Sequence, residues 1–257
     1  MESERIHIEE ELLNDELKEF VTYINGEPHI RHFLCWSYYP VNLLGKSVSN
    51  TMSNQSFTTK KKYYEVYFKK KKYNDILTLL DKHTQIEWFI EHYKIVYSDI
   101  GDKKYYKMLK EILVYIDNHD PYRKHYSDLI SIGNDSTQMM TSNEKKRYNK
   151  LPQKLTIYRG TSSHKKITKS NVNELYGNSW SIDREISIWF GMNHSPKFRG
   201  SKYIILLTYE LDKSEVVSYF TERGENEIFI DYTKIDLSRI TIEEIPKKYI
   251  CKVSFND

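Results

Sequence analysis

The stretch Leu151-Pro-Gln-Lys-Leu-Thr-Ile-Tyr-Arg-Gly160 is the point at which the apolar pattern of the 257-residue chain changes from helical to strand-like. Leu155 to Tyr158 is the first of several short runs rich in β-branched and aromatic residues, which favour strands. The other runs cover residues 203–210, 215–219, 227–231, 239–245 and 249–255. The sequence after about residue 151 therefore predicts mainly β-structure.

One helix is predicted between these strands. Asp183 is a residue type that commonly caps the N-terminus of a helix. We therefore expect a helix over Arg184–Met192, with Ile186, Trp189 and Phe190 facing the core.

The first 150 residues carry apolar side chains at helical spacing. One such set is Tyr105, Met108, Leu109, Ile112, Leu113 and Ile116, and a second is Ile76, Leu77, Leu80, Ile86, Phe89, Ile90 and Tyr93. The opening segment Glu9 to Tyr23 also favours a helix, although its spacing is less regular. The polar stretch at 133–153 predicts a boundary between a helical domain of unknown role at 1–145 and a second domain at 151–257.

Composition limits the classes of protein that the chain can belong to. With 39% hydrophobic and 29% charged residues, the sequence favours a folded protein over a disordered one. The formal charge of +3 gives the whole molecule no strong attraction to nucleic acid or to an anionic membrane. Two cysteines, Cys35 and Cys251, do not form a disulfide framework, and no signal peptide or run of 18 apolar residues occurs. We expect a cytoplasmic location, either in the cell that makes the protein or in a host cell.

Four pieces of the second half carry residues suited to dinucleotide chemistry. They are Ile-Tyr-Arg159-Gly160, then Ser179-Trp180-Ser181 before the predicted helix, then a loop with Tyr219 and Phe220, and finally Arg223-Gly-Glu225-Asn-Glu227-Ile-Phe-Ile-Asp231. An arginine at the end of a strand offers a fixed set of donors for a pyrophosphate. Glu225 and Glu227 would point to the same face of an extended segment, because side chains alternate along a strand.

In order and spacing these pieces resemble the Arg-Ser-Glu class of ADP-ribosyltransferases, which includes arginine-modifying bacterial toxins, ecto-enzymes and phage enzymes. The resemblance covers about residues 151–245. It implies an α+β protein whose second domain is a split, mixed β-sandwich around an NAD cleft. It also implies mono-ADP-ribosyl transfer, with NAD as the substrate and no metal.

The resemblance also implies a role for each site residue. Arg159 would hold the pyrophosphate or a ribose of NAD, and the backbone of Gly160 would meet the nicotinamide carboxamide, where the lack of a Cβ permits close approach. Ser179 would bond the catalytic glutamate, and Trp180 and Ser181 would complete the strand end beneath the nicotinamide pocket.

The two glutamates would have different roles in the reaction. Glu227 would bond a ribose hydroxyl and stabilise the oxocarbenium-like ribose, while Glu225 would engage the acceptor. Tyr219, Phe220 and Arg223 would lie in the loop that faces the acceptor.

Several alternatives stay open from the sequence. Ser181 or Asp183 could simply cap the following helix, and Glu225 and Glu227 could be an exposed strand face. The acceptor is expected to be an arginine of a protein rather than a nucleic acid, but water could replace it, which would make the chain an NAD glycohydrolase. The chain could also be a non-catalytic inhibitor or binding protein that kept the fold.

Two signals in the first half are weaker. The run His29-x-x-His32-x-x-Cys35 lacks a second ligand pair at finger-like spacing, so no metal is expected. The segment Lys60–Lys72 contains seven lysines with aromatic residues between them. It favours a solvated helix face, and contact with nucleic acid is the alternative.

Overall fold

The structure is a computed structural model, and it describes residues 12–35, 41–45, 48–116, 119, 121–193 and 203–246. The strand predicted at 249–255 and Cys251 lie outside these residues. The chain divides into two compact units, residues 1–99 and 100–257. This division lies upstream of the polar stretch at 133–153, and the domain boundary at 145–151 stays a prediction. Within the described ranges, no helix has a stretch long and apolar enough to cross a membrane.

The first unit combines helices with one β-hairpin. Its elements are α1 (Asp15–Lys18), β1 (Val21–Ile24), β2 (Glu27–Ile30), α2 (Val48–Lys69), α3 (Tyr73–Leu79) and the first part of α4 (Lys82–Tyr115). Within the described part of the segment Glu9 to Tyr23, the predicted helix is wrong beyond α1, because the chain enters β1. The cause is the turn Asn25-Gly26, whose positive φ angles of 53° and 85° suit a two-residue hairpin.

Five of the seven apolar residues predicted to form a helix face at 76–93 are buried, whereas Ile90 and Tyr93 are half-buried. Ile76, Ile86 and Phe89 are fully buried, and Leu77 and Leu80 nearly so. The segment forms two helices rather than one, since α3 ends at Leu79 and α4 begins at Lys82.

The helical part of the second unit continues α4 beyond Gly101, where a φ of 70° interrupts the helix. The predicted face is confirmed, because its six apolar residues from Tyr105 to Ile116 are all buried. Two more helices follow, α5 (Arg123–Ser131) and α6 (Ser142–Asn149).

The second unit is built on a six-stranded sheet. Its strands are β3 (Lys154–Ser163), β4 (Ser179–Ser181), β5 (Tyr203–Asp212), β6 (Val216–Phe220), β7 (Glu227–Ile230) and β8 (Thr241–Ile245), in the order β6-β7-β4-β3-β5-β8. The α+β class is confirmed. The expected mixed sandwich is wrong for the described strands, because every neighbouring pair is antiparallel and all six strands join in one sheet.

The two central strands of the sheet, β4 and β3, have very little backbone pairing with each other. β3 pairs with β5 along its whole length, from Lys154↔Asp212 to Ser163↔Tyr203. It pairs with β4 at a single register point, Tyr158↔Ser181. One register pair therefore joins the two three-stranded halves of the sheet, β6-β7-β4 and β3-β5-β8.

Helix α7 (Arg184–Asn193) covers one face of β3 and β5. Asp183 caps it as predicted, since its Oδ1 accepts hydrogen bonds from the backbone N–H groups of Glu185 and Ile186 at 2.9 and 3.1 Å. The buried side of α7 was predicted incorrectly. Ser187, Ile188, Gly191 and Met192 face the sheet, whereas Ile186, Trp189 and Phe190 are half-buried.

Candidate functional site

Arg159 lies in the middle of β3, not at the strand end that the sequence suggested. Its guanidinium donates to two backbone carbonyls, from Nε to Leu175 at 3.0 Å and from Nη1 to Ser179 at 2.8 Å. These bonds reach from one half of the sheet to β4 and the segment before it. The Arg159 side chain therefore adds a second link between β3 and β4, beside the register pair Tyr158↔Ser181.

Gly160 makes room for a helix rather than for a ligand. A Cβ at this position would lie 1.5 Å from the carbonyl oxygen of Ser187, and a Cβ on Gly191 would lie 2.8 Å from the backbone nitrogen of Thr161. The two glycines therefore allow α7 and β3 to approach backbone to backbone. Packing against α7 thus accounts for this glycine, and the expected contact of its backbone with the nicotinamide carboxamide stays a prediction.

The residues of β4 have different surroundings. Trp180 is 2% exposed within the apolar core, and its Nε1 donates to the carbonyl of Gly177 at 2.7 Å. Ser179 is opposite Phe229, whereas Ser181 is opposite Glu227. The register thus makes Ser181, not Ser179, the direct cross-strand neighbour of the proposed catalytic glutamate, and Trp180 supports the strand from the core.

Ser181 links two parts of the site. Its Oγ donates to the carbonyl oxygen of Glu225 at 2.7 Å and accepts from the backbone N–H of Asp183 at 3.0 Å. The first bond holds the segment that carries the glutamates, and the second fixes the chain at the start of α7. Asp183 rather than Ser181 caps α7, and the support that Ser181 would give to an NAD site stays a prediction.

Glu225 is not on an extended segment, and the alternation argument for it is wrong. Its backbone is helical, with φ −83° and ψ −13°, and Asn226 follows in the left-handed region with φ 48°. The Oδ1 of Asn226 accepts a hydrogen bond from the hydroxyl of Tyr219 at 2.9 Å, which helps to hold this conformation. Asn226 was missed from the sequence, although asparagine is among the residues that tolerate left-handed backbone.

The two aromatic residues expected in the acceptor-facing loop are in the core instead. Tyr219 and Phe220 are the last residues of β6 and are 3% and 1% exposed. The loop that follows them covers residues 221–226, and its one-turn helix Glu222–Gly224 contains Arg223. β-Branched and aromatic residues pack well in strands, which explains why β6 extends this far.

Glu227 begins β7 in a row of paired residues that crosses four strands. Tyr158 pairs with Ser181, Ser181 with Glu227, and Glu227 with Phe220. Side chains of directly paired residues share a face of a sheet. Glu227 is half-buried, and its face carries α7 on one side and the contacting rings of Phe220 and Phe229 on the other.

Strand alternation separates Arg159 from Glu227. Arg159 shares its face with Ile157, whereas Tyr158 belongs to the face that includes Glu227. The structure therefore connects Arg159 to β4 and connects Glu225 to β4, but it leaves Arg159 and Glu227 on opposite faces of the sheet. A single face of the sheet therefore does not present both residues to a ligand.

A buried ion-pair network anchors the loop that leads to the glutamates. Lys110 Nζ lies 2.7 Å from Glu144 Oε2 and 2.7 Å from Glu222 Oε1, and the side chains of Lys110 and Glu144 are 6% and 2% exposed. The other oxygen of Glu144 accepts the backbone N–H of Thr221 at 3.0 Å. The helices of residues 100–150 thus hold the start of the loop in place.

Burial raises the pKa of Glu144, but the hydrogen bonds from Lys110, Thr141 and Thr221 outweigh it and lower the pKa below its ordinary value. This carboxylate was also missed from the sequence. Its signal was the capping box of α6, in which Thr141 and Glu144 bond each other's backbone N–H groups.

The weaker signals of the first unit have other surroundings. Burial raises the pKa of the Cys35 thiol to about 12, and His32 lies among aromatic rings. Among the described residues, no group of three or more His, Cys, Asp or Glu side chains could hold a metal ion. In the lysine-rich segment Lys60–Lys72, three lysines form ion pairs: Lys61 with Glu16, Lys71 with Asp99 and Lys72 with Asp75.

Comparison of the chain with protein-family models, curated proteins and solved structures finds no match. The chemistry of the site has to be argued from the residues themselves.

Proposed function

We propose that the chain is a mono-ADP-ribosyltransferase, which cleaves the nicotinamide–ribose bond of NAD and transfers ADP-ribose to a macromolecular acceptor, by default an arginine of a protein. One observation carries this proposal: the short strand β4 is tied to Arg159 through Ser179 and to the turn of Glu225 through Ser181. The three separate sequence pieces that resemble the enzyme class are therefore in physical contact.

In this proposal Arg159 binds the pyrophosphate or a ribose of NAD. A guanidinium carries five N–H donors in a planar fork that suits phosphate oxygens. The bonds to Leu175 and Ser179 fix the position of the guanidinium beside β4. Gly160 and Trp180 do not contact the ligand through a side chain in this view, and they support the position of α7 and β4 instead.

Glu227 is the proposed catalytic carboxylate. Nicotinamide leaves NAD with the electron pair of the bond to C1′, so it departs as a neutral molecule and needs no general acid. Positive charge then develops on the ribose, and a carboxylate that bonds a ribose hydroxyl stabilises that charge most strongly in the transition state. The half-buried position of Glu227 beside Ser181 favours such a directed interaction.

Glu225 is the proposed acceptor residue. A guanidinium nitrogen of the acceptor attacks C1′ and loses one proton, which a nearby carboxylate can take. Glu225 belongs to a turn that Ser181 and Asn226 hold beside Glu227. Its role here depends on that turn and not on strand alternation.

The experiment uses the full chain, NAD labelled on its adenylate part, and a mixture of candidate acceptor proteins. Free nicotinamide, free ADP-ribose and protein-bound label are measured. We expect nicotinamide release with bound label, loss of both in Glu227→Gln, and loss of transfer with retained slow NAD hydrolysis in Glu225→Gln. Glu210→Gln, which changes an exposed carboxylate on β5, is the matched control and should behave as the wild type.

The other outcomes separate the alternatives. Nicotinamide release with a negligible bound fraction across varied acceptors identifies an NAD glycohydrolase, and label on added nucleic acid identifies a nucleic-acid acceptor. No nicotinamide release at any protein concentration rejects the enzyme, and a Glu227→Gln variant as active as the wild type rejects the assigned carboxylate.

A further inference from the structure

The first unit contains a cavity of about 350 Å³ whose lining combines aromatic rings with carboxylates. We call it the aromatic cavity. His32 lines the cavity, with ring centroids 4.5 Å from Phe20, 4.5 Å from Phe33 and 5.2 Å from Phe57. Tyr64 continues the ring set, 5.3 Å from Phe33. A volume near the lower end of the usual range for ligand pockets, about 300 to 1,000 Å³, suits a single side chain or a small planar group.

The charged residues around these rings are mainly acidic. Glu16, Glu19 and Glu65 line the cavity together with one lysine, Lys61. Lys61 is paired with Glu16 at 2.6 Å. Glu65 also attracts the Lys61 ammonium, but in the part of the chain that the structure describes neither Glu19 nor Glu65 lies within ion-pair distance of a cation, so two carboxylates can meet a further cation.

His32 does not cancel this negative charge near neutral pH. Burial lowers the pKa of its ring to about 4, while Glu16 raises the pKa by a smaller amount and Lys61 lowers it further. The ring is therefore uncharged under ordinary conditions, and it acts as one more flat surface of the cavity.

The ammonium of Lys61 already makes both kinds of contact that the cavity offers to a cation, one with an aromatic ring and one with a carboxylate. Its Nζ lies 5.5 Å from the centroid of the Phe57 ring while it pairs with Glu16. A cation is thus already held between an aromatic face and a carboxylate. Phe20, which is 41% exposed, and the carboxylates of Glu19 and Glu65 offer the same combination to a second cation.

We propose that the aromatic cavity binds an arginine side chain on a segment of a partner protein. A guanidinium is planar and stacks on aromatic rings, and it also forms paired hydrogen bonds with carboxylates. A lysine ammonium lacks the plane, and a phosphate or nucleotide would meet the two carboxylates with like charge. This proposal does not depend on NAD chemistry, since every residue that carries it belongs to the first unit.

The test measures peptide binding to the full chain by NMR chemical-shift titration. The probe is an acetylated and amidated Gly-Gly-Arg-Gly-Gly peptide, and the matched peptide carries citrulline, which keeps the shape of arginine without its charge. We expect shifts of the His32 ring and of amides near Phe20 and Tyr64. We also expect at least about tenfold weaker binding of the citrulline peptide, which corresponds to the loss of about 1.4 kcal/mol of charge-assisted bonding.

Two variants locate the site. The double variant Glu19→Gln, Glu65→Gln should weaken arginine binding by about tenfold or more, since it removes both carboxylates and changes no apolar contact. Phe20→Ala should weaken it by removing a stacking surface. Glu27→Gln, an exposed change on β2 outside the cavity lining, is the control that should leave binding unchanged.

Four results would overturn the proposal. They are the absence of any titration with the arginine peptide, equal binding of the citrulline peptide, unchanged binding by the folded double variant, and tighter binding of adenosine monophosphate than of the arginine peptide at the same residues. None of these results bears on nicotinamide release, so the two proposals can fail separately.

Discussion

At the scale of single residues, the hydrogen that Gly160 carries in place of a side chain determines how closely α7 lies against β3. The space of its Cβ is filled by the backbone of Ser187, which cannot rotate away as a side-chain end could. Gly191 repeats the requirement from the side of the helix. The glycine of the Tyr-Arg-Gly sequence is thus explained by packing, and it does not by itself indicate a ligand.

We expect Gly160→Ala to destabilise the protein by about 1 to 3 kcal/mol or more, because overpacking at a backbone contact forces the helix to move. Denaturant unfolding followed by circular dichroism measures the change. Gly45→Ala is the matched control, because the nearest atom to its Cβ would be 3.7 Å away, an ordinary contact. If the two variants have equal stability, the close approach of α7 and β3 is not as described.

At the scale of elements, the Lys110–Glu144 pair connects α4 and α6 to the loop before β7. Removal of one member of a buried pair leaves the other charge poorly compensated, at a cost of about 3 to 5 kcal/mol. Because Glu222 still pairs with Lys110, we expect Glu144→Gln to lose about 3 kcal/mol, near the low end. The matched control is Glu111→Gln in the exposed pair of Lys107 and Glu111, where about 0 to 1 kcal/mol is expected.

The stability lost in Glu144→Gln should depend on pH. The pKa of Glu144 is lowered by folding, so its contribution is present above the unfolded carboxyl pKa and is lost as pH falls through the folded value. The stability difference between the wild type and Glu144→Gln should therefore shrink in acid. Urea titrations at a series of pH values measure it, and a difference that grows toward low pH would contradict the assignment.

The long apolar faces of the helices were predictable from the sequence, whereas the turn that carries Glu225 was not. The face from Tyr105 to Ile116 follows from helical spacing because a buried helix face has the same period in every protein. The conformation of Glu225 depends on the left-handed backbone of Asn226 and on a hydroxyl contributed by Tyr219. Such contacts between separate segments leave no period in the sequence, and neither does the pair of Lys110 and Glu144.

At the scale of the whole molecule, the two units should respond to acid over different pH ranges. In the first unit, the pKa of His32 is lowered from 6.5 to about 4, so folding excludes a proton that the unfolded chain binds. Stability from this residue is full above the unfolded pKa and is lost as pH falls from 6.5 toward 4. The Glu144 contribution in the second unit is lost only below the ordinary carboxyl range.

Hydrogen exchange read by mass spectrometry, corrected for intrinsic rates, tests this difference. On acidification through the range of His32, we expect protection to fall in peptides of residues 12–99 before it falls in peptides of residues 100–246. His32→Phe, which keeps an aromatic ring, should delay the fall in the first unit. The exposed His83→Phe should not, and an equal delay in both variants would assign the effect to histidine content rather than to the buried ring.

In the sheet of the second unit, few contacts join β3 to β4. Tyr158↔Ser181 is the register pair between them, and the hydroxyl of Ser187 in α7 donates to the carbonyl of Tyr158 beside it. The Arg159 guanidinium adds a hydrogen bond from β3 to the carbonyl of Ser179 in β4. A ligand anion held by this guanidinium in its present position would be linked through it to both β3 and β4. Ligand binding and stiffness of the sheet should therefore increase together, and an anion bound at Arg159 should make the centre of the protein more rigid.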